Sequence, residues 1–475
     1  MKLENLIALF VLSLASLLPS TSHAEPQELR LERIIHAATT YHPLIKASEA
    51  DTEAAAGELL AAQGNFDLLA QAEMTQYASG AYDGTYYDTK IIKPLEFLGS
   101  TLIGGYREGS GQFPSYDDYY ITDRDGEIRA GIEIPLLRNR ATDKRRTQIA
   151  KSLYGNDIAK LSLDLRRLEL ARLAAFTYWE WVAARDKHRI YGKLLTVAQQ
   201  RDTQLRKRDE AGDIARMDRV DNERQLLQRE TQLLQAMRAI KKAEYDLSLF
   251  FRDTSGQMLS LEPYIPPTNH HELIIPQLTA TPDSVIEGAY LLRPDLARIE
   301  GQLRQQELDK VQAENELLPK LDLKNYVSQE YGTAASKKDD VEYRVGLALE
   351  VPLQTRAQRG RINVHTAKIN ELTAQKTALR DKIKTDMLDA LNALEIAKKR
   401  CLIARREHKI ALELEEGERV KFSHGDSNLI FVNLREQTTA DAAVREVDTI
   451  LDFNRALAQY YAVRGVIPSE KQGAL

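Results

Sequence analysis

The landmarks of this chain come in pairs, and that pairing limits the folds open to it more than any other feature. "HPLIKASEADTEAAAGELLAAQGNFDLLAQAE" begins at His42 and "RPDLARIEGQLRQQELDKVQAENELLPKLDLKN" at Arg293, so Pro43 and Pro294 stand 251 positions apart. "GIEIPLLRNR" at 131 and "LALEVPLQTR" at 347 set Pro135 against Pro352, 217 apart, so the first copy carries 34 more residues between these landmarks. Gly212-Asp213 then pairs with Gly425-Asp426. Three landmarks in one order mark an internal repeat, and whatever is built is built twice.

Each copy passes from a helical period to a period of two and back. Ile128, Ala130, Ile132 and Ile134 alternate with Glu127, Arg129, Gly131 and Glu133, while Val345, Leu347, Leu349 and Val351 alternate with Arg344, Gly346, Ala348 and Glu350. A strand places each apolar set on one face and each small or charged set on the other. Extended segments are predicted at 68–78, 86–93, 100–108 and 126–136 in the first copy, and at 320–330 and 342–352 in the second. Between 70 and 134 lie Tyr77, Tyr82, Tyr86, Tyr87, Phe97, Tyr106, Phe113, Tyr116, Tyr119 and Tyr120, with Gly- and Asp-rich turns. Aromatics near strand ends and two-faced strands suit a membrane barrel with an apolar outside and a polar lumen; an ordinary half-buried soluble sheet shares the local pattern. Neither copy has enough strands to close a barrel, and a barrel leaves no edge in lipid, so several chains would supply one wall. The excursion at 84–108 is a hairpin, a long external loop or an extension of existing strands.

Residues 1–24 carry Lys2, an apolar core from Leu6 to Leu18 and the small-x-small ending Ser22-His23-Ala24, the form of a signal peptide cleaved before Glu25. A lone membrane anchor is the alternative, although the apolar run is short for a span of about 20 residues. No Cys stands directly after the cleavage point, so nothing points to an N-terminal lipid. With 65 Lys and Arg against 70 Asp and Glu, the chain has a formal charge of -5 and no strongly basic footprint for nucleic acid. Cys401 is the only cysteine, so no intrachain disulfide forms and stability must come from packing or oligomerisation.

Most of the remaining length reads as helix. Ala141 to Ala211 includes Ile158, Leu161, Leu165 and Leu168, then Phe176, Tyr178, Trp181 and Val182; past the Gly-Asp break come Leu226, Leu233, Met237, Ile240 and Leu247. The second copy has Leu372, Leu379, Ile383, Met387, Leu391 and Leu394 before its break, and Val444, Val447, Leu451 and Ala458 after it. Narrow apolar stripes among charged residues predict long helices packed on neighbours. A cytosolic coiled coil has such stripes too, but neither the strands nor the signal peptide. About 70 helical residues at 1.5 Å each reach roughly 105 Å. The return helices are shorter, and helices at 43–64 and 295–317 are placed above them to complete the distance. Glycine weakens a helix interior, so the two Gly-Asp pairs mark turns at one end of a tube.

Little in the chain points to catalysis. The Pro- and Thr-rich segment 251–285 cannot continue as one helix and crosses between the copies. Its His270-His271-Glu272 lacks the spacing of a helical H-E-x-x-H metal site, and His365, His408 and His424 form no cluster. A helix offsets Cys401 and His408 along its axis and does not pair them as nucleophile and base. No Walker sequence is present, so energy for any transport would come from a partner. No catalytic residue, cofactor or metal is expected.

From about Leu31 to Gly465 the duplicated order runs "HPLIKASEA" or "RPDLARIEG", a helix, strands ending in "IEIPLLRNR" or "LEVPLQTRA", a long helix, and a return helix after "AGDIARMDR" or "HGDSNLIFV". This order resembles the TolC-like outer-membrane efflux protein family. The resemblance implies a mixed α/β membrane protein of a Gram-negative outer membrane: a homotrimer with one 12-strand transmembrane β-barrel, in contact with outer-membrane lipid and continued by a long periplasmic α-helical barrel. It implies a passive exit duct for tripartite efflux or type I secretion, partnered by a periplasmic adaptor (membrane fusion) protein and an inner-membrane transporter. No nucleic-acid partner is expected, and a periplasmic coiled-coil adaptor or scaffold is the alternative. The enlarged first excursion departs from the family pattern.

The domain organisation that follows is a signal peptide at 1–24, an N-terminal segment and tunnel helix at 25–66, a strand region at 67–137 and a helical hairpin at 138–250. An equatorial segment at 251–285 leads to the second tunnel helix at 286–318, strand region at 319–353, hairpin at 354–465 and tail at 466–475. TolC-like proteins are closed at their periplasmic tips, which are also where the adaptor engages. That directs attention to Gly212, Asp213, Arg216, Asp218 and Asp221, and to Gly425, Asp426, Asn428 and Asn433; Asp213 and Asp426 serve equally well as helix caps. Arg129, Glu133, Arg344 and Glu350 fall on the polar phase of the strands and are candidates for the barrel lumen, with rim hydration or interstrand pairing as the alternative.

Overall fold

The computed structural model describes residues 27–212, 216–268, 281–332 and 341–468. The segment 1–24, Asp213, His270-His271-Glu272 and the end of the tail lie outside the described residues. The chain opens with β1 (Gln27–Glu28), α1 (Leu31–Thr40) and α2 (Pro43–Gln63), followed by β2 (Leu69–Gln76), β3 (Thr85–Pro94), β4 (Thr101–Ser110) and β5 (Glu127–Pro135). Two long helices follow, α3 (Lys144–Glu210) and α4 (Arg216–Ser248), and then the short β6 (Tyr264–Ile265). The chain then continues through α5 (Pro282–Leu292), α6 (Pro294–Asn315), β7 (Lys320–Glu330), β8 (Glu342–Glu350), α7 (Arg356–Ser423) and α8 (Leu429–Arg464), with two strands between its helices where the first part has four.

Local chemistry sets the boundaries. The Asp143 side chain accepts the backbone N–H groups of Arg145 and Arg146, at 2.7 and 3.0 Å, so α3 starts at Lys144, not at Ala141. The helix placed at 295–317 is α6, and the separate α5 runs up to it across the start of the 286–318 segment. Arg293 precedes Pro294 and takes the extended conformation that proline imposes on its predecessor.

Six strands form one antiparallel sheet in the order β2-β3-β4-β5-β7-β8. The enlarged excursion is therefore a hairpin, β3–β4, inserted between β2 and β5 and hydrogen-bonded to both. Its ten-residue strands match their neighbours in length. A twelve-strand barrel in three copies needs four strands per chain, and this sheet has six. The sheet is open, with β2 and β8 at its edges.

The described α-helices leave the sheet at one end, because α2 and α6 feed β2 and β7 while α3 and α7 follow β5 and β8. α2 and α4 both pack on α3, and α6 and α8 both pack between α3 and α7. The shorter helices are thus stacked in pairs along the long ones, as their lengths predict. At the first junction His42 stacks on Phe250, with ring centroids 6.0 Å apart, and at the second the Arg293 guanidinium donates to the Val463 carbonyl at 3.3 Å. Each junction has its own apolar core. Trp181, Tyr178, Leu247, Phe251 and Ile34 fill the first, and Ile383, Met387, Phe453, Tyr460 and Ile286 fill the second. Among the described residues, no helix is long and apolar enough to cross a membrane.

Candidate functional site

The sheet has two chemically distinct faces. Register places Arg129 opposite Ser328, Glu133 opposite Lys324, Arg344 opposite Tyr326 and Glu350 opposite Lys320, so the four sequence-predicted polar residues share one face. That face is internally paired. Arg129 reaches across β4 to both oxygens of Asp88, at 2.5 and 2.6 Å, and Arg107 pairs with Glu127. The Tyr326 hydroxyl donates to Glu133 at 2.6 Å, and Lys324 lies 3.5 Å from the same carboxylate. Glu350 meets Arg138 at 3.4 Å and Arg344 meets Glu342 at 3.7 Å.

The opposite face carries Met74, Ile91, Leu102, Ile128, Val327, Val345, Leu347 and Leu349, all exposed. Leu347 keeps 67 % of its surface accessible. A contiguous apolar face of this width, backed by an ion-paired polar one, is the two-sided pattern of strands that meet lipid on one side and water on the other.

At the far end of the helices, Gly212 (φ 78°) and Gly425 (φ 84°) both adopt the left-handed conformation in which a side chain is strained. The two breaks are turns, as the interrupted helical pattern predicts. Arg219 crosses the first turn to Asp209 at 2.9 Å. Arg216 and Asp218 are exposed and pair with no other described side chain, and Asp221 holds Arg224 at 3.1 Å within its own helix. In the second copy Asn428, not Asp426, caps the return helix, its side chain accepting the Phe431 N–H at 3.2 Å. Asp426 gives its backbone N–H to the Lys421 carbonyl at 2.9 Å. Asn433 lies inside the helical packing, 5 % exposed, and is not part of the turn surface.

Compared by sequence, the chain matches no family model and no curated protein. Compared by structure, it matches the CmeC outer membrane channel of Campylobacter jejuni at 13% identity and TM-score 0.63, over 94% of this chain and 89% of that one. It matches the open state of the MtrE outer membrane channel of Neisseria gonorrhoeae at 15% identity and TM-score 0.65, over 92% and 89%. It also matches the outer membrane protein VceC of Vibrio cholerae at 15% identity and TM-score 0.62, over 92% and 97%. The chain has the outer-membrane channel fold. Coverage of more than nine tenths of this chain means that the likeness takes in strands and helices together.

Within this channel fold lies a shared polar group that the sequence pattern does not expose. Glu436 on α8 is buried, and its carboxylate receives both terminal nitrogens of Arg229 on α4 at 3.2 Å, Arg419 on α7 at 3.3 Å and Arg201 on α3. Arg201 also donates to the Asn433 side chain. Burial lowers the Arg229 pKa, and the adjacent Glu436 charge opposes that shift. Four helices are thereby tied through one carboxylate. A groove of about 840 Å³ beside it is lined by Lys193, Arg405, His408 and Glu446. His408 there pairs with Glu446 at 2.7 Å, while the Cys401 thiol is buried, with its pKa raised by desolvation. Cys401 and His408 stand two turns apart on α7, roughly 10 Å along its axis.

The signal for the Glu436 cluster lay in α4. Its buried seam is Asn222, Arg229, Ala236 and Ala243, a seven-residue spacing of polar and small residues. The expected seam residues Leu226, Leu233 and Ile240 lie half-buried beside it, and Met237 is exposed. Only Leu247, the last of the expected set, is fully buried.

Proposed function

We propose that this chain is the outer-membrane exit duct of an efflux or type I secretion machine, a passive conduit working with a periplasmic adaptor and an inner-membrane transporter. The carrying observation is the sheet with an exposed apolar face behind an ion-paired polar face, continued by α3, whose 67 residues span roughly 100 Å. A coiled-coil adaptor or scaffold has no use for such a sheet.

The conduit is a ring of copies. Edge strands β2 and β8 run antiparallel to one another across the six-stranded sheet, so β8 of one copy can pair with β2 of the next and the contact propagates head to tail until it closes. The helical layer repeats this logic. α4 and α7 are its flanks, and both carry exposed apolar side chains, including Leu227 and Leu234 on one and Leu402 and Ile403 on the other. Three copies, the number the family resemblance implies, supply eighteen strands from six each, giving a wider wall than twelve. The polar face with Arg129, Glu133, Arg344 and Glu350 lines the lumen. The turns at Gly212 and Gly425 form the periplasmic rim, where exposed Arg216 and Asp218 are placed to contact a neighbouring copy or an adaptor.

Extraction and conductance test this reading. A heat-modifiable oligomer that needs detergent for release and conducts in planar bilayers is the expected result. A monomer washed out in buffer would favour the adaptor reading. At the rim, neutralising Arg216 or Asp218 raises closed-state current and the double variant is non-additive; identical closed-state currents in all three would remove that assignment alone.

A further inference from the structure

The connection from β4 to β5 does not run out past the sheet. It folds back over the polar face at the end away from the helices. Tyr77, Gly84, Tyr86 and Gly109 share that face with Asp88 and Arg129, because residues two apart on a strand point the same way and register carries the row across. Phe113 lies against Gly84 and edge-on to Tyr77, with centroids 5.8 Å apart, and Tyr120 lies on Tyr86 at 4.2 Å. Both glycines are required there. A Cβ on Gly84 would sit 2.6 Å from the Phe113 ring, and one on Gly109 only 1.7 Å from the Tyr120 carbonyl oxygen.

Hydrogen bonds hold the segment at both ends. Gln112 exchanges bonds with Asp83 and Gly84, Thr122 bonds Gly109 at 3.1 Å, and the Tyr77 hydroxyl donates to Asp117 at 2.7 Å. Phe113 and Tyr86 are each 6 % exposed, whereas Tyr116 at the crest of the segment is 78 % exposed. This is a pinned strap from which Tyr116 projects.

We propose that residues 112–122 form a fixed constriction at the outer mouth and set the size limit for solutes that pass it. The inference rests on the exit-duct reading, in which the polar face is the lumen. Every copy contributes a strap, and the straps narrow a wall that the extra hairpin has widened.

The test reads size exclusion directly, in cells carrying the full chain. Cys401 is buried, so a Ser328→Cys substitution supplies an accessible thiol on the polar face beneath the strap. From outside the cell, a small maleimide labels Ser328→Cys, while a maleimide on a polyethylene glycol chain of several kilodaltons does not. Replacing residues 113–121 with a short Gly-Ser linker abolishes that size discrimination. Phe113→Ser with Tyr120→Ser, which unpins the strap without shortening it, weakens the discrimination and covers the case in which the replacement fails to assemble. Equal size limits with the strap present, unpinned and replaced would overturn the constriction. If even the small reagent fails to label the strapless protein, the lumen assignment falls first and the constriction with it.

Discussion

Replacing Glu436 with Gln keeps the shape of the side chain and one acceptor oxygen, and removes the charge that pairs with Arg201, Arg229 and Arg419. The Glu436 and Arg229 side chains are 1 % and 4 % exposed, so Arg229 has no water to turn to, whereas Arg419, at 41 %, does. Breaking a buried pair by removing one partner costs about 3–5 kcal/mol, and the retained acceptor places this variant near the lower end. At about 1.4 kcal/mol per decade, a loss of about 3 kcal/mol means that the helical end opens roughly 100-fold more often. Hydrogen exchange of the α8 amides between Phe431 and Arg445, in the detergent-solubilised oligomer, reads that opening without requiring reversible global unfolding. Arg229→Met combined with Glu436→Leu should recover part of the loss, because Arg229 leaves with its carboxylate while Arg201, 13 % exposed, retains its bond to Asn433. Exchange in Glu436→Gln that rises less than about threefold, some 0.6 kcal/mol, would refute the reasoning, since a buried carboxylate shared by three guanidiniums cannot be lost that cheaply.

Other expectations follow from single contacts. Asn428→Ala removes the cap of α8 and should cost about 1 kcal/mol in a urea titration, whereas Asp426→Ala should be nearly neutral; the reverse order would return the cap to Asp426. His42 accepts the Leu44 N–H through Nδ1, and burial followed by the Arg252 charge lowers its pKa from 6.5. The folded state therefore takes up this proton less readily than the unfolded chain. The stability His42 contributes is full above 6.5 and is lost as pH falls through the depressed folded value. His42→Asn, which keeps a capping oxygen, should flatten the urea midpoint between neutral pH and pH 5, and an unchanged slope would assign the dependence elsewhere. Gly425→Ala forces a side chain onto a φ of 84° and should destabilise by about 1–2 kcal/mol. Gly417→Ala, inside α7 with no atom within 4 Å of the added Cβ, should stabilise by about 1 kcal/mol, and equal signs for the two would contradict this account.

The strands and long helices were legible because their periods are local. Alternation at 320–330 and 342–352 anticipates β7 and β8 to within two residues, and the strand expected at 100–108 is β4 at Thr101–Ser110. Partner choice is not local. Nothing in the residues of 84–108 states that the hairpin enters the sheet; hydrogen bonds to β2 and β5 decide that. Glu436, Arg229 and Arg201 read as ordinary solvated helix charges because the four helices that enclose them are up to 235 positions apart in sequence. Asp426 looked like the cap because it follows a glycine, but the chain needs two further residues to turn before Asn428 reaches the new helix end. The strap was visible only as a crowd of aromatics, whose inward fold depends on glycines contributed by other segments.

α3 and α7 have 67 and 68 residues, and both leave the sheet at one level, since Pro135, Asp322 and Ala348 lie in a single register row. One residue of difference is about 1.5 Å, so the two turns of a copy end at nearly the same depth. Length is then a shared property of the halves. An insertion in one long helix alone would leave its turn proud of the other by about 1.5 Å per residue and would rotate its seam by about 100° for each residue added. Tolerated changes in reach should therefore come as matched insertions or deletions in both halves, in steps near seven residues, or about 10 Å. Natural variation in this architecture should follow that paired, stepwise rule.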